Sequence, residues 1–159
     1  MVIYESEGVV IRDATLSDVE QFTEMREADK AEIWAEGHFY PKYALEESMK
    51  NSTVTLTYLH DGKIVGMFGV APDLPMSNRA RVWMLTSNEI DKTKVAFLKL
   101  TKVIIDKFLT LYPTLWNMVD ARHTQAVKWL EWSGAKLRKA RNYGVENLPF
   151  HYFEFVRGF

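Results

Sequence analysis

Two periods of apolar and polar alternation run along this chain, and the points where one gives way to the other mark its elements. Val9, Val10 and Ile11 form a short β-prone run. Thr15 and Asp18 then have the spacing of a capping box, in which two side chains satisfy backbone N–H groups of a helix's first turn. Val19, Phe22, Met25 and Ala28 or Asp29 follow at helical spacing as far as Gly37. Pro41 suits the first turn of a second helix, which carries Ala44, Leu45, Ser48 and Met49. Two helices are therefore expected after the first strand.

From Thr53 the period becomes two. TVTLTYL is rich in β-branched residues, His60-Asp61-Gly62 is a hairpin turn signal, and KIVGMFGVA forms the returning arm. Arg81 to Thr86 reads as a further strand. A long helix is predicted from Lys94 to Leu111, with Phe97, Thr101, Ile104, Phe108 and Leu111 on one face and Pro113 ending it. Leu115 to Val119 reads as a buried strand, Thr124 to Ser133 as a helix stopped by Gly134, and His151 to Val156 as a last strand. The predicted order is β, α, α, β, β, β, α, β, α, β. An α/β chain of the α+β kind is expected, in a single domain over 1–159; that its sheet is mixed, mostly antiparallel and flanked by helices is what the family resemblance given below implies.

Composition narrows the chemistry. A chain of 159 residues buries roughly 70% of its unfolded surface, enough for a core without cross-links. Cysteine is absent, which removes disulfides, thiolate metal sites and cysteine nucleophiles. His38, His60, His123 and His151 are scattered with no metal-ligand spacing, so no metal site is expected. There is no G-x-S-x-G elbow, Walker loop or G-x-G-x-x-G, which sets hydrolase, NTPase and dinucleotide-binding readings aside. No apolar stretch approaches a membrane span, and the first residues do not read as a signal peptide, so a cytoplasmic location is expected. The net charge of −1 conceals an asymmetry: residues 1–90 carry 15 acidic against 8 basic side chains, residues 91–159 carry 6 against 12. A basic half suits a phosphorylated cofactor or nucleic acid, an acidic half an amine or a basic partner, although halves of a chain need not be halves of a surface.

The element order resembles that of the GNAT acetyltransferases from about Val9 to Phe159. The sharper likeness is Val119-Asp-Ala-Arg-His123-Thr-Gln-Ala126-Val-Lys-Trp129-Leu130-Glu-Trp-Ser-Gly134-Ala135, which is similar to the family's V-x-x-x-N-x-x-A-x-x-L-Y-x-x-x-G-F. Val119, Ala126 and Gly134 match, while His123 stands for Asn, Leu130 for Tyr and Ala135 for Phe. The resemblance implies acetyl-CoA as cofactor, held where two strands splay and where helix N-terminal amides meet pyrophosphate. On that basis Leu85, Thr86, Ser87, Lys92, Thr93, Lys94 and His123 are the cofactor-binding candidates. The family's Q/R-x-x-G-x-G/A is missing: LTSNEIDKTKV puts side chains at Asp91 and Thr93 and a repelling charge at Asp91, with Lys92 and Lys94 as compensating cations. Leu130 also takes the place of the tyrosine that protonates the departing thiolate. Either His123 or Tyr143 serves instead, or transfer is slow or absent.

A closer resemblance, to small GNAT-like internal virion or assembly proteins of short-tailed bacteriophages, covers nearly the whole chain. It rests on Ala28-Asp29 with Glu32-Ile33, Ala44-Leu45 and Ser48, Met67-Phe68-Gly69-Val70, Trp83-Met-Leu-Thr-Ser-Asn, Phe97-Leu98-Lys99 and Leu115-Trp116-Asn117-Met118-Val119-Asp120-Ala121-Arg122. It implies the host cytoplasm or the virion as location, and another phage structural protein as a partner.

Glu32 and Glu36, four apart on one helical face, are candidates to recognise an amine or act as base through water, against their reading as a solvated face. His123, at a helix start, reads as a cap or surface residue, with proton donation or CoA contact as the functional alternative. Lys136 to Arg141 reads as a solvated basic loop rather than a contact to an adenosine 3′-phosphate or to nucleic acid, since no aromatic residues interleave it. Trp34, Phe39 and Tyr40 read as core, with pocket lining or a subunit contact as the alternative. Two function classes remain. One is an acyl-CoA-dependent N-acetyltransferase with an unknown amine acceptor. The other is a non-catalytic phage virion assembly or binding protein on the same scaffold.

Overall fold

The computed structural model describes residues 1–158. A first hairpin, β1 (Val2–Ser6) and β2 (Val9–Asp13), leads to three helices, α1 (Leu16–Gln21), α2 (Glu27–Gly37) and α3 (Pro41–Asn51). Strands β3 (Val54–His60), β4 (Lys63–Pro72) and β5 (Arg79–Thr86) follow, then a 3-10 turn at Asn88–Thr93 that runs into α4 (Lys94–Leu111). The chain closes with β6 (Thr114–Asp120), α5 (Thr124–Trp132), β7 (Lys136–Leu137), β8 (Arg141–Tyr143) and β9 (Leu148–Val156). All nine strands join one sheet in the order β1-β2-β3-β4-β5-β6-β9-β7, with β8 beside β9. Among the described residues, only β5 and β6 pair in parallel.

The local signals operate as expected at several positions. Thr15 and Asp18 form a capping box at α1, and Pro41 is the first residue of α3. Asp61 and Gly62 both have positive φ, 50° and 80°, the backbone that a two-residue hairpin turn needs to match strand twist. Asp18 is 1% exposed, yet its carboxylate accepts from the Arg12 guanidinium at 2.8 Å and from Thr57 at 2.8 Å, which fixes α1 to β2 and β3.

Three features depart from the sequence expectation. Val2–Ser6 is an edge strand; its burial is too slight to leave an apolar alternation. The first predicted helix is two, because Met25 bridges Ser87 as a strand would and Arg26 N–H donates to the Thr86 carbonyl. Trp34, Phe39 and Tyr40 are not core: they are 42%, 39% and 70% exposed around the turn between α2 and α3.

The core is built on both faces of the sheet. Side chains of β2, β3, β4, β5, β6 and β9 pack against α4 and Trp129 of α5 on one face. On the other, Val19, Phe22, Met25 and Leu45 cover Ile64, Met67, Trp83 and Leu85. Ala35 of α2 adds a small contact with Met118 and Phe150.

Candidate functional site

Strands β5 and β6 run together only over Arg79–Arg81 and Thr114–Trp116, after which they part. The gap leaves backbone groups that the ladder no longer satisfies, and side chains take up most of them. The Asn117 amide spans the fork, donating from Nδ2 to the Val82 carbonyl at 2.8 Å while its Oδ1 accepts from Met118 N–H at 2.7 Å. At the far tips, Asp29 accepts from Thr86 N–H at 2.8 Å and Glu32 from Asp120 N–H at 2.7 Å. Both carboxylates come from α2, three residues apart and so on one face. By the two-residue period of the ladder, the Met84 peptide group lies on the same edge as Val82 and Thr86 and points into the gap.

Two cavities meet at this fork. One, of about 130 Å³, lies between α4, α5 and the parting strands and is walled mainly by apolar side chains. The other, of about 370 Å³, opens on the opposite face between α2, α3 and β5, with Glu32, Glu36 and Glu47 opposite Arg81. Glu32, Trp83, Met84, Asn117 and Met118 line both. Burial pushes the Glu32 carboxyl up to about 8, an effect only partly offset by the Asp120 amide and reinforced by the nearby charges of Asp29, Glu36 and Asp120. Burial also raises Glu36, moderated by Arg81 at 3.5 Å.

Beside Glu32 sits a buried polar cluster. Asp29 and His123 are 2% and 6% exposed. His123 Nε2 lies 2.8 Å from Asp29 Oδ1 and 3.1 Å from Arg26 Nη2, and Arg26 Nη2 lies 3.1 Å from Asp29. Burial pushes the Asp29 carboxyl up, but the His123 bond, the Arg26 charge and the Thr86 amide outweigh it and hold the group below its ordinary value. Arg26 also donates to Gln125, which in turn donates to Asp91. His123 thus occupies the N-cap position of α5 without capping it and is not a surface residue, because its ring has a carboxylate to face across the fork.

The remaining sequence candidates are dispersed. Leu85 packs on the α1 and α3 side. Thr86 meets α2 through its backbone, and its buried hydroxyl has no partner among the described residues. Ser87 Oγ accepts from Glu89 N–H, and its carbonyl from Ile90 N–H. Lys92 pairs with Glu89 at 2.9 Å, Thr93 accepts from Tyr58, and Lys94 is an exposed first residue of α4. Leu130 packs against the main core, whereas Tyr143 lies with Phe150 on the opposite face. Asp29, Arg26, Asn117 and Asp120 are site residues that sequence reasoning did not single out. The one available signal was Asp29 itself, an acid in the register of an apolar stripe.

The site residues fit an acyl-pantetheine arm: an apolar channel ends at an inward-facing peptide group. They do not fit its nucleotide end in the same way. Side chains stand at Asp91 and Thr93, where the resemblance would have glycine, and the Glu89 and Ile90 amides at the start of the 3-10 turn are already bonded to Ser87, so these two are not open to pyrophosphate.

No protein-family model and no curated protein matches the chain. Solved structures do. Ard1 from Thermoplasma volcanium superposes with a TM-score of 0.72 at 14% identity, covering 96% of this chain and all of that one, 100%. RimL, a ribosomal L7/L12 alpha-N-protein acetyltransferase in complex with coenzyme A, gives 0.72 at 11% identity with 98% of each chain covered. A GNAT family acetyltransferase from Bacillus anthracis gives 0.69 at 14%, again covering 98% of each. At these identities the likeness establishes the fold: the chain has the GNAT-like α+β architecture. None of these three is a phage virion protein, and the resemblance to that group stays an expectation from sequence. Among the described residues, no helix is long and apolar enough to cross a membrane and no group of acids or histidines is arranged to hold a metal.

Proposed function

We propose that this protein is an acyl-CoA-dependent N-acyltransferase in which Glu32 is the general base. The observation that carries the reading is the meeting of two cavities on opposite faces of the sheet at one carboxylate with a raised pKa. Acyl-CoA, when bound, supplies the activated thioester. The chain's own groups do the rest. The apolar channel excludes water, and the Met84 N–H is the donor placed to polarise a carbonyl at the fork. Glu36 and Glu47 attract an ammonium into the other cavity. Glu32, fixed at Oε1 by Asp120 N–H, takes the ammonium proton on its other oxygen and frees the amine. A carboxyl near 8 is matched to an ammonium far better than an ordinary glutamate is. His123 at the channel wall is the candidate to return a proton to the thiolate, since Leu130 has none to give.

A second reading, a non-catalytic assembly or binding protein such as the phage resemblance implies, is favoured in its lack of catalysis by the turn at 88–93, whose Glu89 and Ile90 amides are already bonded to Ser87. Titration calorimetry with acetyl-CoA separates the two. Saturable binding supports transfer; no heat and no thermal stabilisation at millimolar ligand would end it.

A further inference from the structure

The sheet face that carries the acidic cavity also carries a strip of arginines interleaved with aromatic rings. Arg79 and Arg81 of β5, Trp116 of β6 and Tyr152 of β9 share side-chain parity with Trp83, Met118 and Phe150, which pack on the α1–α3 side. The Trp116 and Tyr152 rings stack at 5.8 Å with planes 18° apart. Arg81 lies 4.6 Å over Trp116 and Arg138, between β7 and β8, lies 4.2 Å over Tyr152. Arg79 sits between them, 5.5 Å from the Trp116 ring and donating to Tyr152 Oη at 2.8 Å.

These guanidiniums are held but not used up. Each carries five N–H donors in one plane, and a guanidinium lying on a ring keeps its edge turned outward for a bidentate carboxylate. Asp73 and Glu36 stand at 3.5 Å from Arg79 and Arg81, whose side chains remain 42% and 38% exposed. Arg138 has no carboxylate at ion-pair distance among the described residues and is exposed. Arg81 also lines the cavity of Glu32, Glu36 and Glu47, so a negative pocket and a positive strip adjoin on one face.

We infer that the strip docks the acidic flank of a polypeptide whose amine enters the adjoining cavity. The acceptor class is then a polypeptide amine set among aspartates or glutamates. This deepens the acyl-transfer reading and rests on it for the amine, while docking is measurable without catalysis. Charge complementarity of both zones supports a bipolar partner of this kind. A nucleic acid fits less well, because the ring faces that would stack bases are already covered by Arg81 and Arg138.

Fluorescence anisotropy with short peptides, free at the N-terminal amine and labelled at the other end, tests the docking. A peptide with glutamates after its first residue is expected to bind about tenfold tighter than one with serines, and to lose that advantage in high salt. Arg138→Glu, an exposed change that leaves the core alone, and Arg79→Ala are each expected to abolish the preference. Equal affinity for the two peptides, an undiminished preference in Arg138→Glu, or tighter binding of a single-stranded oligonucleotide would each overturn the inference. Acidic-peptide docking without acylation of any amine would instead end the acyl-transfer reading and leave the surface standing.

Discussion

The two lips of the fork are built from similar polar residues and reach opposite outcomes. On the α2 side, Glu32 receives one backbone amide and, among the described residues, no ion-pair partner, so burial keeps its proton affinity high. On the 87–94 side, Ser87, Glu89, Asp91, Lys92 and Thr93 are all engaged with one another or with neighbouring elements. A polar side chain does chemistry when the fold leaves part of its bonding capacity open, and residue type alone does not reveal that.

The largest effect that tests this contrast is at Glu32. Glu32→Gln is expected to lower kcat by about 10²–10⁴-fold, measured by thiol release with an amine acceptor. In the unaltered protein the rate should climb as pH rises and level off above about 8, where the carboxyl has lost its proton. Stability should run the other way. The folded state keeps that proton longer than the unfolded chain does, so the carboxyl costs nothing below its ordinary value and destabilises as pH rises through about 8. Glu32→Gln should flatten this part of the unfolding profile, and an unchanged profile would place the carboxyl in water.

Asp29→Ala comes next. It strips the buried Arg26 of its carboxylate and the Thr86 amide of its acceptor, and is expected to cost about 3–5 kcal/mol in urea unfolding. Because the native Asp29 carboxyl titrates below its ordinary value, its contribution should be complete at neutral pH and fade as acid brings the pH down through the folded pKa. Leu130→Tyr, which restores a phenol, should raise turnover by up to about tenfold if proton return limits the rate, and no gain would point to His123 as sufficient. The smallest effect belongs to Lys92→Ala with Lys94→Ala. With Lys92 paired to Glu89, acetyl-CoA affinity should change less than about threefold; a larger loss in calorimetry would mean the loop opens to meet phosphate.

Much of the fold could be read where the physics is local. The capping box at Thr15, Pro41 at the start of α3, the Asp61-Gly62 turn and the α4 stripe each carry their own signal within a few residues. The hairpin of Val2–Ser6 does not, since an edge strand with little burial has no face to mark. The break between α1 and α2 depends on Met25 pairing with Ser87, a contact between segments far apart in the sequence. Glu32 and Glu36 were readable as a pair on one face. The pairing of Asp29 with His123 spans 94 residues and has no sequence periodicity to betray it.

Helix α2 holds the tips of both diverging strands, Thr86 through Asp29 and Asp120 through Glu32. The two strand tips are therefore tied to points less than one helical turn apart, about 4.5 Å of rise between those two positions. Displacing this helix would carry the tips of both strands with it, because each is tied to it by one carboxylate.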